Sequence, residues 1–232
     1  MSENEAGKRR SGASLIRAAM GSLYGLLAFV GAGRLDWGRG WIYFALFFLT
    51  SVIGSWVVQR ANPDLLEARA KGVRKDTKPF DKAFFAVFAP LIVLYPVIAG
   101  LDAARYGWAV LPQWTVYPGV ALFVLGSLGS TWTMVANGSA ETTVRIQEDR
   151  GHSVITDGPY RIVRHPMYLS ILVGLPGTAL ILGSAWALIP MAVIMALFVW
   201  RTAREDRVLR DELPGYGDYA GVTRAKLLPG LW

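Results

Sequence analysis

Four long stretches without a charged residue, 41–58, 83–101, 106–140 and 167–200, constrain this chain more than any other feature. A bilayer core near 30 Å takes about 20 helical residues to cross, and uncharged apolar runs of about 18 or more read as spans. A surface helix of a soluble protein buries one stripe and shows charge on the opposite face, and these runs show none. Charged residues make up 18% of the chain, against roughly 25% in soluble proteins. The expected class is an all-α integral membrane protein embedded in a lipid bilayer.

Helices are expected near 15–33, 41–58, 83–101 and 115–136, followed by a pair at 167–182 and 185–200, five to six spans in all. The pair is required by length. Residues 167–200, taken as one helix, would run about 51 Å, too long for one crossing, and Gly183-Ser184 supplies a turn in the middle. Each half is about 24 Å, slightly short of a full crossing. A tight helical hairpin over 167–200 is expected, with both ends on one side. The chain thus divides into N-terminal helices, 1–136, with a polar loop at 59–82, and a C-terminal region, 137–232, made of a polar segment, the hairpin and a polar tail.

The loops set the orientation. Of the Lys and Arg residues, 21 fall in the N-terminal arm, the 59–82 loop, the 137–166 segment and the tail, and only Arg34, Arg39 and Arg105 fall on the other side. Basic residues collect in cytoplasmic loops, so both termini and the three large polar segments are expected in the cytoplasm. The same bias accounts for the net charge of +7 without a nucleic-acid partner. Trp37, Trp41, Trp108 and Trp114 flank the spans where an interfacial aromatic belt belongs. The basic start resembles a signal peptide, but its apolar run is longer than an h-region and lacks a convincing A-x-A site, so a retained helix is expected.

The residue inventory removes several chemistries. There is no cysteine, so disulfides and thiolate nucleophiles are excluded. The only histidines are His152 and His165, too few for a multi-histidine site, and no metal is expected. No P-loop occurs, and Gly31-Ala32-Gly33 lacks the context of a dinucleotide fingerprint. The sequon at Asn137-Gly138-Ser139 lies on the expected cytoplasmic side and reads as chance.

Function therefore rests on the polar segments that border the hairpin. Pro166 suits the first turn of a helix, which puts His165 at its cap and Tyr168 roughly on the same face. Beyond the hairpin the chain continues as WRTAREDRVLRDEL, with Arg201 and Glu205 one turn apart. Because a hairpin returns Trp200 to the level of Met167, His165, Tyr168, Arg201 and Glu205 are expected at one membrane boundary. Simple anchoring competes with a site here. Arg204, Arg207 and Arg210 read best as snorkelling anchors, and Tyr160 and Tyr168 also suit interfacial aromatics.

The string GPYRIVRHPMYLS, a hydrophobic stretch and then RTAREDRVL resembles the signature of the isoprenylcysteine carboxyl methyltransferase and phospholipid methyltransferase superfamily. That pattern is R-H-P-x-Y-x-G, a hydrophobic segment and a Glu-Glu pair. Arg164, His165, Pro166 and Tyr168 match it, and Glu205 matches the first acid. Ser170 stands where the pattern has glycine, and Asp206 stands at the second glutamate, with the charge kept and the reach shortened. Tyr216, Tyr219 and Leu228-Pro229 resemble the usual ending. The upstream NPDLLEARAKGVRKDTKPFDK resembles bacterial members of the isoprenylcysteine branch, which implies a bacterial inner membrane.

The resemblance implies S-adenosylmethionine (SAM) as methyl donor in a cytoplasmic cofactor pocket, and a lipophilic small-molecule or lipidated acceptor. In that reading Tyr160 and Tyr168 face the sulfonium, Glu205, with Asp206 beside it, accepts from ribose hydroxyls or the ammonium, and Arg164, His165 and Arg201 meet the carboxylate. A carboxylate acceptor needs only an orienting cation, for which Arg145 is a candidate that equally reads as a loop charge. An amine acceptor would need Glu205 or His165 as base. Alternatives are a phospholipid amine N-methyltransferase, an NADPH-dependent membrane sterol or enone reductase, and a non-catalytic membrane scaffold.

Overall fold

The computed structural model describes residues 23–232. The basic N-terminal arm and the first part of the expected 15–33 helix lie outside the described residues. The described chain begins with a 3-10 turn at Leu23–Leu26 and a short helix α1, Leu27–Ala32, which stops where Gly33 turns left-handed at φ 64°. The next helices are α2, Gly38–Ala61, a short α3, Leu65–Ala70, and α4, Pro79–Gly100. Helix α4 continues into a π turn at Leu101–Tyr106. Then come α5, Val116–Ala136, α6, Pro166–Leu182, α7, Leu188–Glu212, and α8, Tyr216–Val222.

Three helical stretches, Gly38–Ala61, Pro79–Tyr106 and Gln113–Ala136, are long and apolar enough to cross a membrane. The first two run beyond the uncharged cores of the sequence, because Arg39, Arg60, Asp81 and Lys82 sit in their end turns. Among the described residues no strand forms, and the chain is an all-helical integral membrane protein.

Helices α5 and α6 lie in the closest contact, and glycine makes it possible. A Cβ on Gly126 would fall 2.5 Å from the Gly174 Cα, and one on Gly177 would fall 2.5 Å from the Gly119 carbonyl oxygen. Small residues that let backbones touch are the usual device for apolar helices, which gain no hydrophobic drive from each other in lipid. Ser170 belongs to the same seam. Its hydroxyl bonds back to the Pro166 carbonyl at 2.7 Å and occupies space left by the missing side chain of Gly129. Serine in place of the motif glycine is therefore accommodated by glycine across the seam.

The hairpin forms, with two differences from the sequence expectation. Its turn covers Gly183–Ala187, so α7 starts at Leu188 rather than 185, and α7 then runs unbroken to Glu212. The tip also reaches the loop between α4 and α5. Leu111 N donates to the Gly183 carbonyl at 2.8 Å, and Ala185 N donates to the Ala109 carbonyl at 3.1 Å. The buried Asp102 carboxylate fixes this junction, accepting from Ala109 N at 2.6 Å and from the Ser184 hydroxyl at 2.6 Å. A buried carboxylate is tolerable only with such partners.

At the opposite pole the polar segments close on one another. Asp81, in the first turn of α4, accepts from Val144 N at 2.7 Å. Lys78 reaches Glu212 at 2.7 Å, and Arg69 on α3 holds the Ala140 carbonyl at 2.5 Å. The 59–82 loop, the 137–165 segment and the 201–232 tail thus form one cap over the helix ends.

Candidate functional site

A cavity opens inside that cap. Its walls come from 137–160, the first turn of α6, one face of α7, and α8. His165 is the N-cap of α6, Pro166 its first residue, and Tyr168 points inward one turn on. Helix α7 returns from the far pole and supplies Arg201 and Glu205 at i, i+4 spacing, which puts both on one face. Tyr168 donates its hydroxyl hydrogen bond to Glu205. Its ring lies parallel to that of His165, with 5.8 Å between centroids. The expected convergence of His165, Tyr168, Arg201 and Glu205 is present.

Arg201 is almost wholly buried and framed on several sides. Its Nε lies 2.8 Å from Asp81 Oδ1, an ion pair too bent for a hydrogen bond. Its Nη2 donates to the Thr142 carbonyl at 2.8 Å, and its guanidinium carbon sits 4.5 Å from the Phe84 ring centre and 5.2 Å from that of Tyr168. Among the described residues its Nη1 makes no hydrogen bond. Sequence reading missed Asp81. The FDK string contains it, but only tertiary contact links it to the site.

Asp206 has a different position. It does not line the cavity, because one residue along a helix is a turn of about 100°. It is the centre of a buried knot behind the wall. Arg164 Nε donates to its Oδ1 at 2.7 Å, the Tyr216 hydroxyl donates to the same oxygen at 3.0 Å, and His165 Nε2 lies 3.3 Å away. Arg210 adds a contact at 3.3 Å. Burial alone would raise the Asp206 carboxyl, yet hydrogen bonds from His165 and Arg164 hold its pKa far below the usual carboxylate range.

Arg164 is equally committed. Its Nη1 donates to the carbonyls of Thr223 and Arg224, at 2.8 and 2.6 Å. The backbone N–H groups of Arg164 and His165 go to Ala225 and Lys226 in the tail. The motif arginine thus clasps the C-terminal tail to α7, and those N–H groups are not available to an anion.

Arg145 lines the cavity, but its charge is already matched. It makes a bidentate pair with Glu141 at 2.9 Å for each bond, reaches Asp149 at 2.7 Å and Asp76 at 3.3 Å. Hydrogen bonds to Glu141 and Asp149 push its pKa upward. Tyr160 is held by Asn137, which donates to its hydroxyl at 2.7 Å, and by Tyr219, which donates to its carbonyl at 2.8 Å. His152, the other histidine, lines the same wall, where burial lowers its pKa.

Polar capacity left over in the cavity is concentrated in few groups. Glu205, half-buried, has Tyr168 as its one hydrogen-bond partner among the described residues, although an ionised carboxylate accepts about four. Arg201 Nη1, the faces of Tyr160 and Tyr168, and the hydroxyls of Thr143 and Ser153 stand with it. An acid, a cation and aromatic faces suit a ligand that carries a zwitterion, hydroxyls and a cationic centre. The cavity volume is about 110 Å3, below the roughly 300–1,000 Å3 of ligand pockets. A nucleoside-sized ligand would need the covering segment to move. Among the described residues 153–156 make no backbone hydrogen bond outside regular structure, so that segment is the weakest wall.

Residues 114–213 match the model of the phospholipid methyltransferase family. Among curated relatives, the cobalt-zinc-cadmium resistance protein CzcN of Cupriavidus metallidurans is 31% identical over 45% of this chain and 48% of its own length. The nickel-cobalt-cadmium resistance protein NccN of Alcaligenes xylosoxydans xylosoxydans is 31% identical over 49% of this chain and 53% of its own. Protein-S-isoprenylcysteine O-methyltransferase B of Arabidopsis thaliana is 32% identical over 38% and 43%. The chain spans about half the length of the curated relatives it matches.

Proposed function

Because residues 114–213 match the phospholipid methyltransferase family model, we propose that this membrane protein is a SAM-dependent methyltransferase acting on a lipophilic carboxylate. The observation that carries it is the Glu205 carboxylate, facing the cavity beside two tyrosine faces and bonded there only to Tyr168 among the described residues. SAM, when bound, supplies a methyl group on a sulfonium. Glu205 and the Arg201 Nη1 would hold its polar ends, and Tyr160 and Tyr168 would face its cationic centre. His165 keeps the Tyr168 ring oriented by stacking on it.

Methyl transfer is an in-line displacement, so alignment and exclusion of water carry most of the rate. The methyl group that SAM would supply would pass directly to a carboxylate oxygen, so no side chain of the cavity would need to move a proton. Opposite charges would vanish in that transfer, which a site closed to water would favour over bulk solvent. The committed pairings of Arg164, Asp206 and Arg145 assign them to the frame: the first two clasp the tail, and Arg145 braces the 137–150 wall. By the bias in basic loops, this cap faces the cytoplasm, where SAM would enter.

The test is thermal stabilisation of the purified protein in detergent by SAM and by NADPH. Stabilisation by SAM alone is expected. Stabilisation by NADPH alone would favour a reductase, and none by either would favour a scaffold.

A further inference from the structure

A second cavity, of about 750 Å3, runs among α2, α5 and α6 and ends at α3. Most of its wall is apolar, with Phe47, Phe123 and Leu175. Towards the capped pole the wall changes, with Ser55, Ser130 and Thr131 presenting hydroxyls and Arg69 a guanidinium. Arg69 Nη1 donates to the carbonyls of Ala140, at 2.5 Å, and Glu141, at 3.4 Å. Among the described residues no carboxylate pairs with it, and its Nε and Nη2 make no hydrogen bond. A guanidinium stays charged in any protein setting, and burial without an anion is costly. Burial accordingly lowers the pKa of this group.

The two cavities share a wall. On α6, Pro166, Met167 and Tyr168 line the first, and Ser170, Ile171 and Gly174, one turn further, line the second. Ala140 and Glu141, the residues that Arg69 holds, line the first as well. Arg69 therefore stands at the junction, with two faces of its fork uncommitted. An apolar channel that ends in an unmatched cation is complementary to a long apolar tail that ends in an anion. An ammonium head would meet repulsion there.

Resting on the methyl-transfer reading, we propose that Arg69 receives the carboxylate of a lipophilic acid lying in this groove and turns one oxygen towards the neighbouring cavity. The acceptor class is then a long-chain or isoprenoid acid rather than an amine. That oxygen forms the new bond to the methyl carbon, the electron pair of the broken bond leaves with sulfur, and the product is a neutral ester. Loss of the acid's charge removes its hold on Arg69, which favours release of the ester into the bilayer.

The experiment uses the full chain in lipid nanodiscs and two matched pairs of probes. These are N-acetyl-S-farnesylcysteine with its carboxamide, and palmitate with palmitamide. In at least one pair the acid is expected to bind about tenfold or more tightly than the amide, as for a charge-assisted bond. Arg69→Gln should erase that difference, and Arg69→Lys should keep part of it, while the amide of the responding pair binds both variants as it binds the wild type. Equal binding of acid and amide in both pairs would overturn the inference. So would an acid preference that survives Arg69→Gln, or an Arg69→Gln protein that loses the amide along with the acid. Failure of the wild-type protein to bind SAM would instead overturn the methyl-transfer reading.

Discussion

Arg201 and Asp81, 120 positions apart in the chain, pair at the cavity wall with Nε 2.8 Å from Oδ1. Both are buried, and each arrives on a different helix, so the pair fixes α7 against the start of α4. Removing one partner of a buried pair leaves the other charge uncompensated, at a cost of roughly 3–5 kcal/mol. Asp81→Ala is therefore expected to lower the thermal midpoint in detergent, and the double variant with Arg201→Ala should lose less than the two singles together. A double variant as unstable as the sum of the singles would show that the contact carries no coupling.

Asp206 gives a pH signature. Its carboxyl is depressed in the folded chain by His165 and Arg164 against the effect of burial. A depressed carboxylate adds stability that is complete above the unfolded pKa near 3.9 and is lost as pH falls towards the folded value. Unfolding free energy should therefore show no Asp206-dependent change between neutral pH and about pH 5, and should fall below about pH 4. Asp206→Asn should weaken that acid limb and free the tail that Arg164 clasps, read as faster hydrogen exchange at 223–232.

The glycine seam predicts a steric effect. A side chain on Gly126 would meet the Gly174 Cα at 2.5 Å, and backbone cannot yield as a side chain does. Gly126→Val should cost roughly 1–3 kcal/mol or more and separate α5 from α6. Ser170→Gly, which only removes a hydroxymethyl group facing Gly129, should change stability by less than about 1 kcal/mol. Comparable midpoints for the two variants would contradict the close approach.

Ligand entry should show in the covering segment. The cavity holds about 110 Å3, and SAM would be accommodated if residues 153–156 swing outward and then settle over it. Hydrogen exchange there is expected to be fast without SAM and slowed with it. Unchanged exchange at saturating SAM would place the ligand elsewhere.

Much of the fold was legible in the chain itself. Lengths of uncharged sequence marked the long helices, and Gly183-Ser184 marked the hairpin, from which the meeting of Tyr168 with Glu205 follows by geometry. The pairing of Asp81 with Arg201 was not legible, since no local pattern links residues on separate helices. Glu205 and Asp206 both read as cofactor acids in sequence, because only helix phase, and knowledge of what covers each face, separates a cavity acid from a buried one. Arg145 looked available because its acids, Glu141 and Asp149, sit at i, i+4 spacing in a segment that is not α-helical, where that spacing promises no contact. The same blind spot hid Arg69, whose place at the groove depends on how α3 folds back over the helix ends.

Calorimetric titration of SAM into the wild-type protein and into Glu205→Gln probes the role of the cavity acid in holding the methyl donor. Saturable binding by the wild type is expected, with an affinity roughly tenfold or more weaker in the variant, the loss of a charge-assisted bond. Undiminished SAM affinity in Glu205→Gln, with the protein folded, would contradict it.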